Sequence, residues 1–334
     1  MLALAQAVLD KSRRALARAL TAIENGGPEA DGLMADLYGF TGQAWVVGVT
    51  GAPGTGKSSL VTALAQVYRK QGKTVGIVAV DPTSPFTGGA ILGDRIRMRD
   101  LSGDTGVFIR SMATRGSLGG LSRATRDAVR VIDAAGFDMI LVETVGAGQS
   151  EVEIVRTAHT TLVVEAPGMG DDVQAIKAGI LEIADILVVN KADRPGADNT
   201  VRSLRAMLEL GHPTRPMADA PSMWQPPVVR TVATKEAQTM EDGIAELAAL
   251  IDGHRAHLTE AGQLPSLERE RIEIELADRL KQALYERLMA GTGAGQIAAL
   301  VDAVVSRGMA PSQAVEALLS NVPATHTSAK PAAL

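Results

Sequence analysis

The residues Gly51-Ala52-Pro53-Gly54-Thr55-Gly56-Lys57-Ser58 have the composition and spacing of a cradle for nucleotide phosphates. Glycines let consecutive backbone N–H groups turn inward around a β-phosphate, where a side chain would collide. The apolar run Trp45-Val46-Val47-Gly48-Val49 leads into the loop. Ser58 to Gln71 reads as a helix stopped by Gly72, so the loop sits where a helix dipole favours anions. Lys57 is expected to reach the β- and γ-phosphates and Ser58 to bind Mg²⁺. Ser59 is counted with Gly51 to Ser58 among the nucleotide-binding residues.

Far downstream stands Asn190-Lys191-Ala192-Asp193, after the apolar run Ile186 to Val189. A carboxylate at Asp193 can accept from both the ring N–H and the exocyclic amine of guanine. Adenine lacks that donor pair and would leave the charge unpaired. Asn190 is expected to brace the loop and Lys191 to lie along the base. Taken alone the string could also be a helix cap. At a strand's carboxyl end, behind a phosphate loop, it reads as a grip on guanine, so the two motifs imply a GTP-binding protein.

Between them, the apolar run from Met139 ends in Glu143, and Gly146 follows three residues later. This is where nucleotide switches sense a γ-phosphate. Glu143 is expected to act in catalysis by holding Mg²⁺ through water, and the Gly146 N–H to touch the γ-phosphate. Gln149 either positions the attacking water or hydrogen-bonds within its own loop. Asp81 and Asp94 are further candidates for the Mg²⁺ site. The alternatives are a turn or helix cap for Asp81, which precedes Pro82, and a salt bridge to Arg95 or Arg97 for Asp94. Lys57, Glu143, Gln149 and Asp81 make up the catalytic set.

The elements that position these residues follow from hydrophobic rhythm. Leu9, Ala15, Leu16 and Leu20 suit one or two helices in the first forty residues. From Trp45 the pattern becomes strand, turn, helix. Strands are expected at Thr74 to Val80, closed by Asp81-Pro82, and at Val107 to Arg110, Met139 to Val142, Thr161 to Val164, Ile186 to Val189 and Val228 to Thr231. Apolar runs on both faces, separated by helical patterns, indicate an α/β fold with a mostly parallel sheet covered on both sides. Residues 194–227 hold several prolines and look loop-rich. After Gly253 the strands stop. Glu268 to Met289, Ala294 to Arg307 and Pro311 to Ser320 read as helices, and residues 323–334 as a tail.

The chain has 334 residues, a formal charge of -5 and no cysteine. Disulfides, thiolate metal sites and cysteine nucleophiles are excluded, and no general attraction to nucleic acid or anionic lipid is expected. No apolar run is long enough to span a bilayer. Met1 to Asp10 runs on into charged residues rather than a cleavage site, so no signal peptide is expected and a cytoplasmic location fits best.

Several longer strings carry a family resemblance. They are Val80-Asp81-Pro82-Thr83-Ser84, Gly88-Gly89-Ala90-Ile91-Leu92-Gly93-Asp94-Arg95, Phe108-Ile109-Arg110-Ser111, Gly116-Ser117-Leu118-Gly119-Gly120-Leu121, Val142-Glu143-Thr144-Val145-Gly146 and Gly148-Gln149-Ser150-Glu151. Together they resemble the MeaB/ArgK family of GTPases, which includes the mitochondrial MMAA protein of cobalamin metabolism. The resemblance implies a P-loop GTPase of the SIMIBI class with a Rossmann-like three-layer core. It implies a chaperone of adenosylcobalamin-dependent acyl-CoA mutases that couples GTP hydrolysis to cofactor transfer from an adenosyltransferase, the cofactor belonging to the partner. It also implies a homodimer joined through C-terminal helices. The domains expected are a helical extension over 1–40, the GTPase domain over 41–260 and a dimerisation arm over 261–322. The leucine stripe of that arm could equally pack against its own domain. A mobile segment called switch III would hold Asp171, Asp172, Gln174 and Lys177, or simply a capped helix start.

Thr231-Val232-Ala233-Thr234 stands where the family usually has a serine and a small residue, so Val232 and the Ala233 N–H are the expected base contacts there. The client mutase could be specific for methylmalonyl-CoA, isobutyryl-CoA or 2-hydroxyisobutyryl-CoA. Arg110 and Arg115 are candidates for an internal or partner-facing role, or for plain salt bridges. Rival readings are a metal-insertion GTPase, a protein-targeting GTPase and a small-molecule kinase. The first is opposed by zero Cys and five His.

Overall fold

A computed structural model describes residues 2–82, 98, 101, 103–114, 123–144, 154, 156–168, 183–210, 224–233 and 242–320. Asp94, Arg115, Gly146, Gln149, Asp171, Asp172, Gln174, Lys177 and the tail over 323–334 lie outside the described residues. For Asp81 the backbone is described and the side chain is not. The described chain divides into two compact units, residues 1–263 and residues 264 onward.

The first unit is built on seven strands: β1 (Trp45–Thr50), β2 (Val75–Pro82), β3 (Val107–Thr114), β4 (Met139–Thr144), β5 (Thr160–Glu165), β6 (Ile186–Asn190) and β7 (Val228–Thr231). Their order is β3-β2-β4-β1-β5-β6-β7, and every neighbouring pair is parallel. All residues of β1, β4, β5 and β6 are buried, the signature of a parallel sheet covered on both faces. The strand β2 runs through Asp81-Pro82 instead of ending at Val80. Pro82 is its final residue, in register with Thr114, where a missing N–H costs little.

Helices α4 (Lys57–Lys70) and α7 (Ile244–Glu260) cover one face. On the other lie α5 (Arg123–Ala134), against β2 and β4, and α6 (Ala197–Leu210), against β6 and β7. Within the stretch 194–227, expected to be loop-rich, helix α6 is an element the sequence reading did not name. The prolines flank it, while Ala197, Val201 and Leu204 recur at helical spacing and bury against Leu187 and Val189.

Three helices rather than one or two precede the sheet: α1 (Ala3–Leu9), α2 (Arg13–Asn25) and α3 (Pro28–Leu37). They belong to the same unit as the sheet and bury Leu16, Leu20, Ile23, Leu33 and Leu37 with α5 in one core. Arg13 fastens α2 to the sheet edge by donating to the carbonyls of Thr105 and Val107, both at 2.8 Å. The carboxylate of Asp133 accepts from three successive backbone N–H groups, Gly42, Gln43 and Ala44, and so fixes the entry into β1.

The second unit holds α8 (Leu264–Gly291), α9 (Ala294–Val305) and α10 (Pro311–Ser320). On α8, Leu276, Leu280 and Leu284 are 61%, 59% and 55% exposed, an apolar stripe at four-residue spacing. Glu275 is buried and paired with Arg279 at 2.7 Å.

Candidate functional site

Parallel pairing places the carboxyl ends of all seven strands on one edge of the sheet. The chain leaves β1 toward β2 on one side, and β5 lies against β1 on the other, the switch point where open α/β sheets bind ligands. The phosphate loop, Glu143, Asn190 and Thr231 all sit at this edge.

The loop from Gly51 to Gly56 joins β1 to α4. Gly51 has φ 136°, and a Cβ there would stand 2.1 Å from the Val164 carbonyl oxygen on β5. Gly56, the residue before α4, has φ 91° and caps the helix without any side-chain hydrogen bond. The first turn of α4 carries no acidic residue, so its amide donors and dipole face an incoming anion. Lys57 is buried and donates to the carbonyls of Gly51 at 2.7 Å and Ala52 at 3.0 Å. A phosphate oxygen is a stronger acceptor than either carbonyl, so Lys57 can exchange them for a nucleotide.

At the end of β4, Glu143 is 1% exposed and accepts a 2.6 Å hydrogen bond from the Ser58 hydroxyl at the start of α4. Two oxygen donors meeting beside a phosphate loop suit a hard cation such as Mg²⁺, so the residues present fit that metal. Asp81 is the penultimate residue of β2, at the same sheet edge.

The base-side loop touches the phosphate loop directly. Asn190, 1% exposed, donates through Nδ2 to the carbonyl of Thr55 at 2.8 Å and, less closely, to that of Gly56 at 3.4 Å. Its Oδ1 accepts from the Thr231 hydroxyl at 3.1 Å and the Ala233 N–H at 3.3 Å. Lys191 adopts φ 56°, a conformation uncommon outside glycine, and its ammonium donates to the Gly54 carbonyl at 2.6 Å. The side chain of Asp193 is exposed, open to a ligand arriving from solvent. Val232 is held by its N–H to the carbonyl of Asp242 at 2.9 Å, just before α7.

Structure thus gathers Gly51 to Ser58, Glu143, Asn190, Lys191, Val232 and Ala233 at one edge, with Ser59 the third residue of α4. Arg110 lies elsewhere, ion-paired with Glu24 of α2. Sequence reasoning missed Thr231 as a partner of Asn190, and missed that Gly56 is small because Asn190 presses on it. Neither leaves a local signal, since the contacting residues are more than forty positions apart in one case and over a hundred in the other.

A family model described as "Methylmalonyl Co-A mutase-associated GTPase MeaB" matches residues 16–293. The chain belongs to the MeaB family. Among the relatives of this MeaB-family chain, a Pyrococcus abyssi protein with a GTPase designation is 48% identical over 311 residues, covering 93% of each chain. The GTPase ArgK of Escherichia coli is 36% identical over 283 residues, covering 83% of each. Among solved structures, a LAO/AO transport system kinase superposes with a TM-score of 0.70 at 25% identity over 95% of each chain. The MeaB-family chain is therefore a GTPase with an α/β, P-loop NTPase fold, and guanine nucleotide is its ligand. Among the described residues, no single helix is long and apolar enough to cross a membrane.

Proposed function

We propose that this MeaB-family GTPase is a nucleotide-driven chaperone of an adenosylcobalamin-dependent acyl-CoA mutase, acting on cofactor loading and on protection of its client. The observation that carries the client is the family's own description, mutase-associated, across residues 16–293. In this reading Gly51 to Ser59 and Lys57 hold the phosphates. Asn190, Lys191 and Asp193 hold guanine, with Val232 and Ala233 flanking it. Ser58 and Glu143, joined by Asp81 and Asp94, hold Mg²⁺, which when bound neutralises charge on the β- and γ-phosphates.

Gly146 and Gln149 then sense the γ-phosphate and the attacking water, and loss of that phosphate relaxes the segments Asp81 to Asp94 and Glu143 to Gln149. Switch III, with Asp171, Asp172, Gln174 and Lys177, responds in turn. The arm over 261–322 joins two copies through the exposed stripe of α8, residues 1–40 extend the GTPase domain over 41–260, and the protein works in the cytoplasm. The mutase client receives its cobalamin from an adenosyltransferase.

The test is GTP hydrolysis with and without purified methylmalonyl-CoA mutase, together with co-purification on a non-hydrolysable GTP analogue. Nucleotide-dependent binding and a changed hydrolysis rate are expected. An unchanged rate and no binding, against isobutyryl-CoA and 2-hydroxyisobutyryl-CoA mutases as well, would remove the chaperone reading. Transfer of labelled phosphate to an amino acid or protein acceptor instead of water would favour a kinase.

A further inference from the structure

We infer that Thr50 and Thr144 are a pair of positioning residues for GTP hydrolysis. Their hydroxyls pin the start of the segment after β4 to the entrance of the phosphate loop, and so give that segment a fixed pivot. The inference rests on the reading of Glu143 to Gln149 as the sensor of the γ-phosphate and adds two residues to it.

Strands β1 and β4 are parallel neighbours, with Val49 in register with Glu143. Thr50 and Thr144 come next and are the last residues of their strands. Side chains alternate along a strand, so the two threonines share one face and Glu143 points to the other. Ile140 and Val142, on the threonine face, bury in the core shared with α5. Glu143, on the opposite face, meets Ser58 of α4. The Thr144 hydroxyl donates to the Thr50 hydroxyl at 3.2 Å, and the residues are 1% and 0% exposed. That length is long for two hydroxyls. Burial nevertheless leaves no water at hand to replace either partner, so losing one is costly.

The end of β4 therefore holds the phosphate loop at both of its ends. Thr144 is tied to Thr50, the residue before Gly51, and Glu143 to Ser58, the second residue of α4. The two ties differ in kind. The Ser58–Glu143 bond is made of groups assigned to Mg²⁺, so its geometry depends on the ion. The Thr144–Thr50 bond uses no group assigned to nucleotide or metal and persists in both nucleotide states. Gly146 lies two residues beyond Thr144, a reach of at most about 7 Å. A shift of Thr144 would pass directly to the amide assigned to the γ-phosphate, and the bond to Thr50 limits that shift.

Thr144→Val and Thr50→Val each remove a hydroxyl at nearly constant volume. Thr144→Ser keeps the hydroxyl, and the double valine variant removes both partners. The full chain and these four variants are compared in kcat and KM for GTP, in Kd for GDP and for a non-hydrolysable GTP analogue, and in thermal melting. Each single valine variant is expected to lose about tenfold in kcat and about fivefold in analogue affinity relative to GDP, with GDP affinity itself within about twofold of the parent. The double variant is expected to lose no more than about twofold beyond either single, because the bond is already gone. It is expected to melt above the single variants, because neither hydroxyl is left buried without its partner. Serine is expected to stay within about twofold of the parent.

Parent-like kcat in folded valine variants would overturn the inference. So would losses that multiply in the double variant, which would mark two separate roles, or equal weakening of GDP and the analogue, which would mark packing alone. Absence of any GTP hydrolysis by the parent chain with Mg²⁺ would instead overturn the underlying reading of the Glu143 segment, and the inference with it.

Discussion

Gly56 and Asn190 compete for the same space: a Cβ on Gly56 would stand 2.5 Å from Asn190 Nδ2. The phosphate loop and the base-side loop, 134 residues apart in sequence, are therefore fitted to each other before any ligand is considered. Gly56 also holds φ 91°, which L-residues rarely adopt.

Gly56→Ala meets both obstacles at once. Left-handed strain of about 1–2 kcal/mol adds to displacement of Asn190. Nucleotide affinity is expected to fall by more than about tenfold, read by fluorescent GDP titration, while the far-UV spectrum stays that of the parent.

The 2.6 Å bond between Ser58 and Glu143 lies at the corner proposed to hold Mg²⁺. Glu143→Gln removes its charge at nearly constant volume. Hydrolysis at saturating GTP is expected to drop by at least about tenfold and to require higher Mg²⁺, with GDP affinity changed far less. Metal titrations of kcat read this directly; an unaltered Mg²⁺ dependence would count against Glu143 as a ligand.

Base choice is assigned to the exposed Asp193 carboxylate. Asp193→Asn exchanges an acceptor for a donor, so the amide suits the 2-carbonyl of xanthine better than the 2-amino group of guanine. Affinity for GTP should fall by about a hundredfold or more, with xanthosine triphosphate gaining relative to it. Competition binding with the two nucleotides measures the switch.

Acid sensitivity should trace in part to Asp104. The guanidinium of Arg69, which grips it with two 2.9 Å hydrogen bonds, and then the Gly106 N–H hold its carboxyl below the usual carboxylate range. A carboxyl depressed in the folded state stabilises the protein above its unfolded value, near 3.9, and loses that contribution as pH falls through the lower folded value. Denaturation curves from pH 7 to pH 2 should show Asp104→Asn less stable at neutral pH and the difference from the parent closing in acid.

On α8, Leu276, Leu280 and Leu284 form the stripe to which dimerisation is assigned. Replacing all three with Glu is expected to turn a dimer into a monomer by light scattering. The GTPase unit should keep its melting transition, because those leucines are exposed and lie outside the unit of residues 1–263.

Much of this was legible in the sequence because the chemistry is local. Gly51 to Ser58 is contiguous, and the strands before Gly51, Glu143 and Asn190 are unbroken apolar runs whose parallel pairing brings their ends together. What escaped was long-range or masked by composition. Helix α6 was hidden because Pro195 precedes it and Pro213, Pro216 and Pro221 follow it, although Val201 and Leu204 carry its buried face. The N-terminal helices were foreseen as an extension. Their burial against α5 was not, since Leu16 and Leu20 reveal an apolar face but not what covers it. The Thr231–Asn190 contact depends on the register of β6 with β7, which no spacing in the chain encodes.

Guanine selectivity is decided by calorimetric titration of the full chain with GTP, GDP and ATP in the presence of Mg²⁺. Tight, saturable binding of both guanine nucleotides is expected, at least about a hundredfold over ATP. Equal or tighter binding of ATP, or no heat with GTP, would contradict it.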